Sequence, residues 1–70
     1  RAMPQIGVVI PVYKAEACLE ELYLRLKVAL ETITDDFEIL LIEDCGGDGS
    51  WPMIVQLAAR DPRVKGLQFS

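Results

Sequence analysis

Short, almost continuous apolar runs constrain the fold of this chain more than any other feature. The first, IGVVIP, covers Ile6 to Pro11, and the second runs from about Phe37 to Glu43. Both runs are too short for helices and are rich in β-branched residues, so we predict two strands buried on both faces. A third run, VKGLQF at residues 64–69, predicts another strand near the end of the chain.

The segments between these runs have the period of an α-helix. From Glu16 onward, one apolar stripe is formed by Leu19, Leu22, Tyr23, Leu26, Leu30 and Ile33. On the opposite side, Glu21 and Arg25 have the favourable i,i+4 order of an ion pair. A shorter helix is predicted from an N-cap at Ser50 to about Arg60. The residues expected to face the core from this second helix are Ile54, Leu57 and Ala58.

The order of elements is therefore β-α-β-α-β, which predicts the α/β class. Buried strands joined by helices favour a parallel sheet with right-handed crossovers, here in the order 3-2-1. Ligands of such sheets bind beyond the carboxyl ends of the strands, where this sequence has PVYK and EDCGGDG. The first strand would be an apolar edge, so we expect more chain or a second copy to cover it.

Composition excludes several classes of function. Seventy residues, 51% of them hydrophobic, make at most one small domain. A net charge of -4 without histidine excludes the basic surface of a nucleic-acid-binding protein and any histidine base or metal ligand. No apolar run is long enough for a membrane span, and we expect no signal peptide. Two cysteines, Cys18 and Cys45, are too few for a disulfide scaffold and predict free thiols in a reducing compartment.

The residues at the first two strand ends fit a nucleoside pocket. Tyr13 offers a flat ring on which a base can stack. Asp44 can accept a charge-assisted hydrogen bond from a ring N–H, a contact that selects bases with such a donor. Glycines 46, 47 and 49 permit close backbone approach. Asp48 is placed to bind a sugar hydroxyl or to cap the next helix.

Each of these residues also has a purely structural interpretation. Tyr13 fits an ordinary half-buried aromatic, and Asp48 fits a turn residue. Glu43 and Asp44 fit a solvated strand end or a cation site. Known phosphate motifs are excluded, because no G-x-G-x-x-G follows the first strand and CGGDGS lacks the lysine of a P-loop. A phospho-acceptor receiver domain is disfavoured because its acid pair follows the first strand rather than the second.

Three segments together resemble the N-terminal part of a family 2 glycosyltransferase with the GT-A fold, in particular the dolichyl- and undecaprenyl-phosphate sugar transferases. They are VVIPVYKAEACLEELYLRL, DDFEILLIEDCGGDGSW and LAARDPRVKGLQFS, which cover nearly the whole chain. The resemblance implies that residues 1–70 are a single partial domain, the Rossmann-like nucleotide-binding front part of a GT-A domain. The implied enzyme takes a sugar from a UDP- or GDP-linked donor and passes it to a polyprenyl phosphate.

The resemblance also implies roles for individual residues. The segment PVY would line the base of the nucleotide-sugar, and the second acid of the pair that ends the second strand would bind that base. The aspartate of DGS and an acid shortly after PVY would lie near the same nucleoside. The nucleotide-binding candidates are therefore Pro11, Val12, Tyr13, Glu16, Asp44 and Asp48.

Metal binding and catalysis are expected elsewhere in the full-length enzyme. The family's metal-binding D-x-D and its catalytic acid would lie after Ser70, so we assign no catalytic residue and no ligand for the expected Mg²⁺ or Mn²⁺ to this chain. We expect the chain to be inactive alone and to self-associate through its first-strand edge. The full-length protein is expected in the cytoplasm, at the cytoplasmic face of the membrane. The alternative is a stand-alone, non-catalytic nucleotide-binding or self-associating module.

Overall fold

The sheet and its connections have the predicted architecture. A computed structural model describes residues 3–13, 17–44 and 50–69. Its elements, in chain order, are β1 (Ile6–Val12), α1 (Leu19–Glu31), β2 (Phe37–Asp44), α2 (Ser50–Arg60) and β3 (Val64–Phe69). The three strands form one parallel sheet with β2 in the centre and β1 and β3 on either side. The α/β class, the parallel sheet and the strand order 3-2-1 are confirmed.

The strand bounds extend slightly beyond the predicted ones. β1 continues through Pro11 to Val12, and β2 ends at Asp44 rather than at Glu43. Proline has no N–H to donate, but it is tolerated in β1 because this strand pairs on one side only within the described chain. The extension matters because it makes Asp44 part of the central strand.

The helix bounds also need correction. α1 begins at Leu19, and the predicted start at Glu16 lies outside the described residues. Ser50 is the first residue of α2 rather than its N-cap, and its side chain is buried. Neither helix of the described chain is long and apolar enough to cross a membrane.

The two helices cover the same face of the sheet. Buried side chains of α1 and α2 join those of the strands in one core cluster. Two right-handed crossovers that step in the same lateral direction are expected to place both helices on one side. On that side β2 buries Phe37, Ile39 and Leu41. On the other side Val9 is 62% exposed and Leu67 is 44% exposed. The prediction that the strands are buried on both faces is therefore wrong for the described part of the chain.

The core confirms most of the predicted helix faces. It consists of Val12, Leu19, Tyr23, Leu30, Phe37, Ile39, Leu41, Ile54, Leu57 and Val64, with Leu26 and Ala58 packed against it. Leu22 lies at the exposed rim, and Ile33 is exposed because α1 ends before it. The predicted pair of Glu21 and Arg25 is present at 2.7 Å between two exposed side chains. Such a pair contributes only a few tenths of a kcal/mol, about 0.2–0.5.

A polar network ties α1 to the turn before β3. The hydroxyl of Tyr23 donates to Oδ2 of Asp61 at 2.7 Å. The guanidinium of Arg63 donates to Oδ1 and Oδ2 of Asp61 at 3.0 and 3.1 Å, and to Glu31 at 3.0 Å. Arg63 also lies 4.2 Å above the ring of Phe37. This network is at the amino end of the sheet, away from the predicted site.

Candidate functional site

The carboxyl ends of β1 and β2 lie side by side. Val12, the last residue of β1, is the register partner of Glu43 on β2. Tyr13 follows Val12 along the chain, and Asp44 follows Glu43. Neighbouring strands of a sheet are about 4.8 Å apart. The parallel topology therefore brings Tyr13 of PVYK close to the acid pair that begins EDCGGDG.

The acid pair at the end of β2 is divided between the two faces of the sheet. Successive side chains of a strand point in opposite directions. Glu43 faces the helices and is 2% exposed, whereas Asp44 is exposed on the other side. The two carboxylates cannot hold one cation together from opposite faces. Of these two acids, Asp44 is the one that a ligand can reach.

Glu43 belongs to the interior that supports the site. The side-chain amide of Gln68 on β3 donates to its Oε1 at 3.5 Å. A buried carboxylate is stable only when hydrogen bonds replace its lost hydration. The interpretation of a solvated strand end is therefore wrong for Glu43, although it describes Asp44. The period of two in a strand is the signal that separates these acids in the sequence.

The PVY segment is divided in the same way. Val12 is 2% exposed and its side chain packs in the core. A ligand at this edge could therefore contact only the backbone of Val12. Pro11 is exposed on the uncovered face of the sheet. Tyr13 is 63% exposed, which disagrees with the interpretation of an ordinary half-buried aromatic. Of this segment, Pro11 and Tyr13 present side chains that a ligand can reach.

The remaining candidates lie outside the described residues. These are Glu16 and Asp48, together with Cys45 and glycines 46, 47 and 49. Cys18 is exposed just before the start of α1. Across residues 3–13, 17–44 and 50–69, no three carboxylates, thiols or imidazoles come together as a metal site. The described residues therefore do not fit a divalent cation, and we derive no step through one.

The chain is similar to known glycosyltransferases over most of its length. The model of the family "Glycosyl transferase family 2" matches residues 7–70. The chain is 35% identical over 66 residues to the uncharacterized glycosyltransferase YkcC of Bacillus subtilis, covering 94% of this chain and 20% of that protein. It is 41% identical over 54 residues to an undecaprenyl-phosphate 4-deoxy-4-formamido-L-arabinose transferase of Aeromonas hydrophila, covering 77% of this chain and 17% of that protein. The chain thus spans about a fifth of the length of these relatives.

Proposed function

Since this chain belongs to glycosyl transferase family 2, we propose that it is the nucleotide-binding front part of the catalytic domain of a sugar-transferring enzyme. Its ligand would be a UDP- or GDP-linked sugar. The observation that carries the proposal is the adjacency of two accessible groups, Tyr13 after β1 and Asp44 at the end of β2. Residues 1–70 are, on this proposal, one partial domain.

The two groups have complementary chemistry for a nucleobase. An aromatic ring contributes roughly 1–3 kcal/mol by stacking on a base and tolerates any base. The carboxylate of Asp44 adds selectivity, because it accepts a hydrogen bond from a ring N–H. Uracil and guanine have such a donor, whereas cytosine and adenine do not. A base without the donor leaves the acid unpaired, so UDP and GDP should bind more tightly than CDP and ADP.

Calorimetric titration of UDP and GDP into the protein tests this proposal. We expect Tyr13→Ala and Asp44→Asn each to weaken binding by roughly tenfold or more, because one removes the stacking surface and the other removes the charged acceptor. Tyr13→Phe should retain most of the affinity, since the ring remains. Asp35→Asn is the matched acid control, because Asp35 is exposed in the connection between α1 and β2.

Two outcomes would contradict the assignment. If Tyr13→Ala and Asp44→Asn bind UDP and GDP as the unchanged protein does, these residues do not form the nucleoside site. If CDP and ADP bind as tightly as UDP and GDP, Asp44 does not read a ring N–H. Circular dichroism of each variant should match that of the unchanged protein, because both side chains are exposed.

The acceptor, the metal and the location belong to the proposal for the whole protein. The name of the Aeromonas relative supports a polyprenyl-phosphate acceptor. On this proposal the whole enzyme works in the cytoplasm, at the membrane face. A divalent cation, Mg²⁺ or Mn²⁺, would offset the diphosphate charge with ligands outside these 70 residues. The catalytic acid is likewise assigned elsewhere, so we expect these 70 residues alone to transfer no sugar.

A second candidate function, a self-associating module, is favoured by one observation. Among residues 3–13, 17–44 and 50–69, β1 is an edge of the sheet, is apolar along its length, and exposes Val9 at 62%. An unprotected apolar edge strand pairs readily with another strand. We therefore propose that these 70 residues form dimers or larger assemblies through β1.

Sedimentation velocity over a range of concentrations measures this self-association. Val9→Lys is expected to shift the protein toward monomer, because a lysine on an edge strand opposes pairing. Val28→Lys is the matched control, since Val28 is similarly exposed, at 65%, but lies on α1. A monomer at every concentration, or an equal effect of both variants, would exclude pairing through β1.

A further inference from the structure

We propose that Phe69 forms a second aromatic wall of the nucleoside site, on the side of Asp44 opposite to Tyr13. This inference rests on the proposed function and extends it to β3. Phe69 is the last residue of that strand and was not a candidate from the sequence, because no motif marks it. What identifies Phe69 as a candidate is the register of β3 with β2.

The register places Phe69 directly beside the candidate acid. Asp44 on β2 and Phe69 on β3 are register partners in the parallel ladder. Partners of this kind point to the same face, so both side chains lie on the face without helices within the described chain. Phe69 is 51% exposed there. An accessible ring therefore stands next to an accessible carboxylate.

The row continues across the central strand to β1. Val12, Glu43 and Gln68 are register partners across the three strands, and the residues that follow them along the chain are Tyr13, Asp44 and Phe69. With strands about 4.8 Å apart, the two aromatic positions are separated by about 10 Å at the backbone. A planar base between two rings needs about 7 Å, or two contacts of about 3.5 Å. Rings leaning inward from both sides would hold a base with its edge toward Asp44.

The inference makes Phe69 a binding residue, in contrast to Leu67 on the same strand and face. Leu67 is 44% exposed but lies two residues before the carboxyl end of β3. A residue that only packs under further chain would behave as Leu67 does. If Phe69 stacks on the base, nucleotide binding depends on its aromatic ring, and an aliphatic side chain of similar volume cannot replace it.

Titration of UDP and GDP into the protein by calorimetry distinguishes these roles. Phe69→Leu keeps apolar volume and removes the ring, and we expect affinity to fall by roughly 5- to 100-fold. Leu67→Ala should bind as the unchanged protein does. Phe69→Trp should retain binding, and its additional fluorescence should be quenched on addition of nucleotide, whereas the emission of Trp51 alone should change little.

The failures of the two proposals can be told apart. If Tyr13→Ala and Asp44→Asn weaken binding but Phe69→Leu does not, Phe69 is not part of the site and the proposed function stands. The inference is also overturned if Phe69→Leu lowers the unfolding midpoint but leaves the affinity unchanged, which would assign the ring to packing. If no variant changes the affinity, or if neither nucleotide binds, both proposals are wrong.

Discussion

Replacing Asp61 with alanine is expected to lower the free energy of unfolding by about 3–5 kcal/mol. The carboxylate is 5% exposed and accepts hydrogen bonds from the Tyr23 hydroxyl and the Arg63 guanidinium. Its removal leaves a buried hydroxyl and much of a guanidinium without an acceptor. A domain of this length is stable by about 4–10 kcal/mol. Urea unfolding followed by circular dichroism should therefore show a variant that is unfolded to a large extent.

Matched variants separate the network from a general effect of removing charge. Asp35→Ala removes an exposed carboxylate and should change stability by less than about 0.5 kcal/mol. Tyr23→Phe removes one donor and should cost about 1 kcal/mol. In the double variant with Asp61→Ala, the two losses should be less than additive, because they share one hydrogen bond. Equal stability of Asp61→Ala and Asp35→Ala would contradict the role of the network.

The pH dependence of unfolding gives a second measurement of the same network. Burial raises the pKa of Asp61, but hydrogen bonds from Arg63 and Tyr23 outweigh it and hold the pKa at about 2 rather than 3.8. Because the folded pKa is the lower one, the stabilisation is complete above about pH 4 and is lost as pH falls toward 2. The loss should be about 2 kcal/mol. In Asp61→Asn this contribution to the acid dependence should be absent.

The fold was predictable because its signals are local and periodic. The apolar runs that form β1, β2 and β3 are short and almost continuous, whereas the apolar residues of α1 recur with the helical period. Right-handed crossovers then leave few arrangements, and the observed order is the one that they favour. The same reasoning predicted that the PVY segment lies beside the carboxyl end of β2.

The sequence did not predict which residues would be exposed or joined across the fold. Treating the strands as buried on both faces hid the difference between Glu43 and Asp44, which depends on both helices lying on one face. The contact of Tyr23 with Asp61 spans 38 residues of sequence, and the segment DPR indicated only the end of a helix. Phe69 was missed because its place beside Asp44 follows from register, which no local pattern encodes.

Gly66→Ala is expected to destabilise the fold by about 1–3 kcal/mol. Gly66 lies in β3 beneath α2, and an added Cβ would be 2.5 Å from Cγ2 of Ile54 and 3.3 Å from the ring of Trp51. Ile54 is 1% exposed, and its β-branched side chain has essentially one rotamer in a helix. The clash can be relieved only if α2 moves away from the sheet. Thermal and urea unfolding should both report the loss.

Gly7→Ala is the matched control, because Gly7 is also a strand glycine. An added Cβ at Gly7 has no heavy atom within 4 Å. Alanine there should leave stability unchanged or raise it by about 0.4–1 kcal/mol, since it restricts the unfolded chain. Equal unfolding midpoints for both variants would show that α2 does not depend on close approach to β3. A glycine weakens a strand, so its presence at Gly66 is explained only if the missing side chain is what allows Ile54 and Trp51 to pack on the sheet.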